Sequence, residues 1–169
     1  MKRSELERTL GTKLQMASDP RRQHVTYTLR IEGKLVLPQS VRVSHGSGEL
    51  TDREKGSAAR DLFLRERELE VCVKCHIGAQ CVFICIAVEL LHRVAEKDPE
   101  AMPKSDLSRD SEGIGTLIRV AEAAHMNGRW TPPEKALLER ISSRLHHCLD
   151  AQHTRTLAGR IHQFVTART

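Results

Sequence analysis

The sequence predicts an α+β fold. An N-terminal domain of about residues 1–85 carries three antiparallel strands with helices packed on one face, and an all-helical C-terminal region of about residues 86–169 follows. Three observations predict it. The run His24-Val25-Thr26-Tyr27-Thr28-Leu29-Arg30-Ile31 alternates with period two and is rich in β-branched residues, the pattern of a half-buried strand. Thr51-Asp52-Arg53-Glu54 has the form of a capping box, in which a hydroxyl and a carboxylate satisfy free backbone N–H groups at a helix start. Beyond the polar stretch Asp98–Asp106, which contains Pro99 and Pro103, the pattern is helical throughout.

In chain order, Ser4 can cap a short helix that Gly11 ends, and Lys13–Met16 reads as a short strand. Ser18–Arg22 has turn composition. His24–Ile31, the turn Glu32-Gly33-Lys34 and Leu35–Pro38 make a hairpin; Ser40–Ser44 is a third strand, ended by the His45-Gly46-Ser47-Gly48 turn. The helix after Thr51 turns Ala58, Ala59, Leu62 and Phe63 inward, and a second one from near Arg65 carries Leu69, Val71 and Cys72. Gly78 interrupts the chain before an apolar helix, Ala79–Glu96. Further helices follow over roughly residues 111–126, 133–150 after the Pro132-Pro133 start, and 152–166. Trp130, just ahead of those prolines, reads as a structural anchor at a helix junction.

The balance of 27 Lys plus Arg against 22 Asp plus Glu gives a net charge of +5. The excess is concentrated: residues 1–50 hold nine basic and five acidic side chains, so an electrostatic footprint for a polyanion belongs there. Aromatic residues make up only 3%, which excludes a base-stacking surface rich in Phe and Tyr. The longest apolar run, Ile77–Leu91, contains Gln80 and Glu89 and falls short of the roughly 20 residues of a membrane span, so it reads as a buried core helix. Met1-Lys2-Arg3-Ser4-Glu5 leads into no apolar signal segment, and the five cysteines are an odd number, so the expectation is reduced thiols in a cytoplasm.

Among residues able to do chemistry, His24 stands at a strand start beside Arg21 and Arg22. An imidazole titrates near neutrality and can act as acid or base, while a neighbouring guanidinium stabilises charge on a phosphate. With period two, Arg30 shares the His24 face and Tyr27 the opposite one. Ser44-His45-Gly46-Ser47-Gly48 contains two glycines that let backbone amides approach an anion just before a helix start, and His45 is a second candidate acid or base. Lys2, Arg3, Arg8 and Lys13 could contact phosphates. The plainer alternatives are an exposed histidine at a turn, an ordinary capped strand-to-helix turn and a solvated helix face.

The cysteines suggest other chemistry. Cys72-Val73-Lys74-Cys75-His76 has haem-attachment spacing, but that chemistry requires export. Cys72, Cys75, Cys81 and Cys85 are candidate metal ligands, and Cys72 with Cys75 a candidate redox pair. Cys81 and Cys85 lie in an apolar helical run, where cysteine behaves as a small hydrophobe, so buried thiols are the favoured reading and no metal is assigned. His146, His147, Cys148, His153 and His162 read as helix-surface residues.

His24-x-x-Tyr27, Leu29-x-Ile31-x-Gly33-Lys34, Val41-x-Val43-Ser44-His45-Gly46-Ser47-Gly48-Glu49-Leu50 and Ala59-Arg60-Asp61-Leu62 together resemble the HicA toxin family of bacteria and archaea. Leu69, a cysteine near the end of the following helix and the opening Met1-Lys2-Arg3-Ser4-Glu5-Leu6 add to the likeness, which spans roughly residues 1–85. The resemblance implies an α-β-β-β-α domain like double-stranded-RNA-binding domains. It further implies a translation-independent mRNA ribonuclease (an mRNA interferase) without metal or other cofactor, and a HicB-like antitoxin as partner. The family's key histidine corresponds to His24.

Three functions are therefore expected in order. The first is a HicA-like RNA-binding protein that cleaves mRNA, with His24 as acid or base and Arg21, Arg22, Arg30, Ser44, His45, Gly46 and Ser47 holding phosphate. The second is a non-catalytic interaction module on the same scaffold, forming a homo-oligomer through the helical region; Gln23 before His24 and the long helical tail favour it. The third is a cysteine-ligated zinc or redox protein. No membrane partner is expected.

Overall fold

A computed structural model describes residues 1–20, 23–31, 34–97, 104–124 and 129–167. The chain divides into two units, Met1–Ala79 and Gln80–Thr169. The first holds a three-stranded antiparallel sheet and the second is helical, so the α+β reading of the sequence holds at that level.

The first unit opens with α1, Arg3–Arg8. Its N-cap is Lys2, whose backbone N–H donates to the Glu5 carboxylate at 2.7 Å, so the expected cap at Ser4 is displaced by two residues. Gly11 does not end the helix. The backbone widens into a π-turn over Thr9–Lys13, and the strand expected at Lys13–Met16 does not form. Leu6, Leu10 and Leu14 recur at helical spacing and are all buried, which holds the chain helical past the glycine. Gln15 then reverses the chain at φ +51°, and the Met16 N–H closes onto the Leu10 carbonyl at 2.9 Å.

The strands are β1 (Ala17–Pro20), β2 (His24–Ile31) and β3 (Lys34–Ser44), in the order β1-β2-β3. Ser18–Pro20, expected as a turn, belongs to β1, an exposed edge strand where a terminal proline removes no needed ladder donor. The segments expected as separate strands, Leu35–Pro38 and Ser40–Ser44, are one strand. Their register against β2 shifts between Thr28 and Arg30, so that Val36–Gln39 stand opposite Leu29 alone. Pro38 has no N–H to lose there, and a bulge is where a ladder can spare a donor. Tyr27, Leu29, Val41 and Val43 form the buried face of the sheet.

Two helices complete the unit, α2 (Asp52–Asp61) and α3 (Glu66–Val73). The capping box at Thr51 forms as expected, with the Glu54 N–H donating to Thr51 Oγ1 and the Thr51 N–H to the Glu54 carboxylate. Ala58, Ala59, Leu62, Leu69 and Cys72 are buried, whereas Phe63 is only half buried. Phe63 occupies a left-handed position, φ +58°, just past the end of α2, with the Leu64 N–H bound to the Ala59 carbonyl and the Phe63 N–H to that of Arg60. Cys75 repeats the arrangement after α3, at φ +64°. Both are Schellman endings, in which glycine is the usual residue at the reversed position.

In the second unit, α4 (Ala79–Ala95) has an unbroken run of buried residues from Cys81 to Glu89. A helix apolar on every side belongs inside a core. Next comes α5, Lys104–Ala124, which begins earlier than the sequence pattern indicated: Lys104, Ser105 and Asp106 are helical rather than linker. The rest of the expected linker, residues 98–103, and residues 125–128 at the expected end of that helix lie outside the described residues. Helix α6, Pro132–Asp150, has its own capping box between Thr131 and Glu134. The final helix, α7, runs Arg155–Thr166; Thr154 precedes it and donates its hydroxyl to the Cys148 carbonyl at 2.7 Å. No helix among the described residues is long and apolar enough to cross a membrane.

Candidate functional site

The other face of the sheet carries the polar half of the alternation. His24 pairs with Ser44 and Thr26 with Arg42, while Asp19 stands opposite Thr26 on the other side. His24 is half buried; Arg42 and Ser44 are exposed. The His45 N–H donates to the Gln23 carbonyl at 3.4 Å, so the two imidazole-bearing residues sit on neighbouring strand ends. Arg42, two pairs in from His24 and therefore on the same face, is its diagonal cross-strand neighbour, at a distance of roughly 7–8 Å that long side chains span.

Not every expected residue joins this group. Arg30 lies further along the same strand and face, about 20 Å from His24 at roughly 3.3 Å per residue. The two cannot hold one phosphate. Arg21 and Arg22 lie outside the described residues. Tyr27 points to the buried face, as period two requires; burial, then the Glu7 carboxylate, pushes its hydroxyl pKa up, so it stays protonated.

Gly46 and Gly48 have φ of +134° and +119°, values that side-chain-bearing residues rarely adopt. The turn is fastened from α1: the Arg3 N–H donates to the Gly48 carbonyl at 2.9 Å, and a Cβ on Gly46 would meet the Arg3 guanidinium at 3.4 Å. Arg3 Nη2 continues to Glu54 Oε1 at 2.8 Å. The Thr51 backbone N–H first, then Arg3, hold the Glu54 carboxyl down to about 2, with the Thr51 and Ser44 hydroxyls contributing. Ser44 is thus committed to Glu54, and the α2 N-terminus already holds Asp52 and Glu54 in its first turn. His45, Gly46 and Ser47 themselves remain exposed, with the Arg3 guanidinium beside Gly46 and already paired with Glu54.

This network makes stability depend on acidity. Because the folded-state pKa of Glu54 lies below the ordinary 4.5, its contribution is fully present above about pH 4.5 and disappears as the pH falls toward 2. Its side chain is a quarter exposed, so solvent screening brings the contribution to about 1–2 kcal/mol. Urea midpoints followed from pH 7 to pH 2 should show this fall, and Glu54→Gln should flatten it while lowering the neutral-pH midpoint. An unchanged acid slope in the variant would refute the assignment.

The five cysteines are all free thiols, four buried and Cys75 exposed. Among the described residues no three His, Cys, Asp or Glu side chains stand where a metal could use them, so Cys72, Cys75, Cys81 and Cys85 do not make a ligand set. Cys72 lies under the Lys13 ammonium, which donates to its carbonyl at 2.7 Å, and burial pushes its thiol pKa up. Cys81 and Cys85 are wholly buried on successive turns of α4. The later histidines diverge: His147 has its ring 5.2 Å from that of His92, His153 Nε2 lies 3.0 Å from the Val94 carbonyl, and His146 and His162 are exposed.

One contributor, Arg42, escaped the sequence reading, and another, Arg3, has a different role from the one expected. Arg42 is implied by period two once the β2–β3 register is known. Arg3, expected as a phosphate contact, is instead buried and paired with Glu54, and no local signal announces that role because the partner is 51 residues away. No family model, curated protein or solved structure matches the chain.

Proposed function

We propose that the first unit is a HicA-like RNA-binding domain with the architecture of a double-stranded-RNA-binding domain, acting as a metal-free endoribonuclease on mRNA. The observation that carries the reading is the juxtaposition of His24 with Arg42 on one face and with His45 at the adjoining strand end. The element order α1-β1-β2-β3-α2 supports it.

In this reading one imidazole takes the proton from a ribose 2′-OH. The 2′-oxygen attacks phosphorus, the bond to the 5′-oxygen breaks, and the other imidazole protonates the departing oxygen. The products are a 2′,3′-cyclic phosphate and a 5′-hydroxyl. Arg42 replaces Arg30 as the cation that meets charge on the phosphate. A HicB-like antitoxin is the partner that would cover this face.

The test is incubation of the purified chain with a long unstructured RNA in EDTA. His24→Ala should lower cleavage by about 10²–10⁴-fold, the range of one acid–base group, and Arg42→Gln should weaken it without altering the products. Cleavage indifferent to His24→Ala would sink the mechanism. The second reading, a non-catalytic interaction module, rests on the commitment of Ser44 and the α2 N-terminus to Glu54. A salt-sensitive gel shift without cleavage would favour it.

A further inference from the structure

Helices α4 and α6 run side by side in the same direction, joined by contacts in constant register. Gln80 donates to the Glu134 carboxylate, the Arg140 guanidinium to the Cys85 sulfur and Arg144 to the Glu89 carboxylate, across separations of 54, 55 and 55 residues. The next rung is a pair of histidines: the rings of His92 and His147 have centroids 5.2 Å apart and planes tilted by 44°. His92 stands in the last turn of α4 and His147 in the last turn of α6. Two helix C-termini, each the negative end of its dipole, therefore face the same end of the helical unit. Glu96, one turn beyond His92, sets Oε1 3.4 Å from His92 Nδ1. Of the other charges nearby, Glu89 is paired with Arg144 and Lys97 with Asp110.

We infer that His92 and His147 form a two-histidine chelate for a zinc-class divalent ion, which ties the C-terminal ends of α4 and α6 together. Imidazole is a ligand suited to zinc, copper and nickel. Zn–N bonds of about 2.0–2.1 Å at the tetrahedral angle place two imidazole centroids about 5 Å apart, the separation these rings already have. Glu96 takes the Nδ1–H of His92, which fixes the tautomer and leaves the Nε2 lone pair for the metal, the way a carboxylate orients a ligating histidine. The rungs below hold both backbones in register, so little freedom is lost in bringing the ligands together. His147 is exposed and the His92 side chain is 19% exposed, so the ion enters from solvent without opening the core. Cys148, next along α6, donates its thiol to the Arg144 carbonyl and stays out of the ligand set. Two protein donors leave two positions for water, which makes this an exchangeable site rather than a closed structural one.

The experiment titrates the full chain, reduced and at neutral pH, with zinc chloride. Binding is followed by equilibrium dialysis and by heteronuclear NMR of the histidine ring nitrogens. The expected result is one saturable equivalent, with the His92 and His147 rings shifting together and the other histidines unmoved. Magnesium chloride should shift neither ring, because magnesium takes oxygen ligands. His147→Gln should weaken zinc binding about tenfold or more, and His92→Gln should do the same. The double variant should be no weaker than either single one, since each change removes one arm of the same chelate. Zinc binding that survives both single variants would put the ion on another group, such as the exposed Cys75 thiol, and would overturn the inference. Zinc that moves one of the two rings without the other, or no saturable binding at all, would overturn it equally. His147 is exposed, so its variant decides the matter even if His92→Gln folds poorly.

Discussion

Trp130→Ala should destabilise the helical unit by about 3–5 kcal/mol, among the larger losses a single side chain produces. Trp130 is 3% exposed and meets Phe164 edge-on, with ring centroids 5.5 Å apart. Its indole N–H donates to the Val165 carbonyl at 3.2 Å. That carbonyl belongs to the last turn of α7, where helix carbonyls run out of intrahelical partners. One side chain therefore fills the core and caps a helix from outside. Trp130→Phe keeps part of the packing and loses the donor, so it should cost about 1–2 kcal/mol less than the alanine variant. Because Trp130 is the chain's single tryptophan, its fluorescence follows unfolding of the parent, and far-UV circular dichroism follows the variants. Amide exchange should quicken first at the end of α7. Equal stability of the parent and Trp130→Ala would mean that the indole is not part of the core.

The elements best legible in the sequence were those specified by local chemistry. The alternation of His24–Ile31 gave β2 with its bounds, and Thr51-x-x-Glu54 gave the start of α2. The apolar run gave a buried α4. What escaped was set by distant partners. Gly11 reads as a stop, but burial of Leu10 and Leu14 carries the helix past it. Ser18–Pro20 has turn composition, yet it pairs because β2 offers a free edge. At the site, His24 and the glycine turn were visible as residue types. The neighbour Arg42 became visible only through a register that the shift opposite Leu29 determines, and Arg3 with Glu54 only through folding. Arg30 shows the converse: sharing a face is a statement of parity and says nothing about distance along the strand.

Distant partners also decide the second large effect. Arg144→Ala should cost about 2–3 kcal/mol, while Glu89→Leu should be close to neutral. Arg144 reaches from α6 to the Glu89 carboxylate on α4. Glu89 has a side chain only 10% exposed, whereas that of Arg144 is 50% exposed. Removing the arginine leaves a carboxylate in the core with its charge uncompensated, the costly way to break such a pair. Removing the glutamate leaves a guanidinium that water can solvate, and leucine returns apolar surface to α4. The double variant Glu89→Leu/Arg144→Ala should therefore be more stable than Arg144→Ala alone, a coupling that a double-mutant cycle measures directly. The thiol of Cys148 supplies an independent readout. Burial first, then the Glu89 carboxylate, raises its pKa to about 11. Glu89→Leu removes the second of these causes and should bring the thiol pKa down, while Arg144→Ala should not. If both single variants lost stability equally and the thiol did not respond, the carboxylate would have to be solvated, and the asymmetry that its burial predicts would be absent.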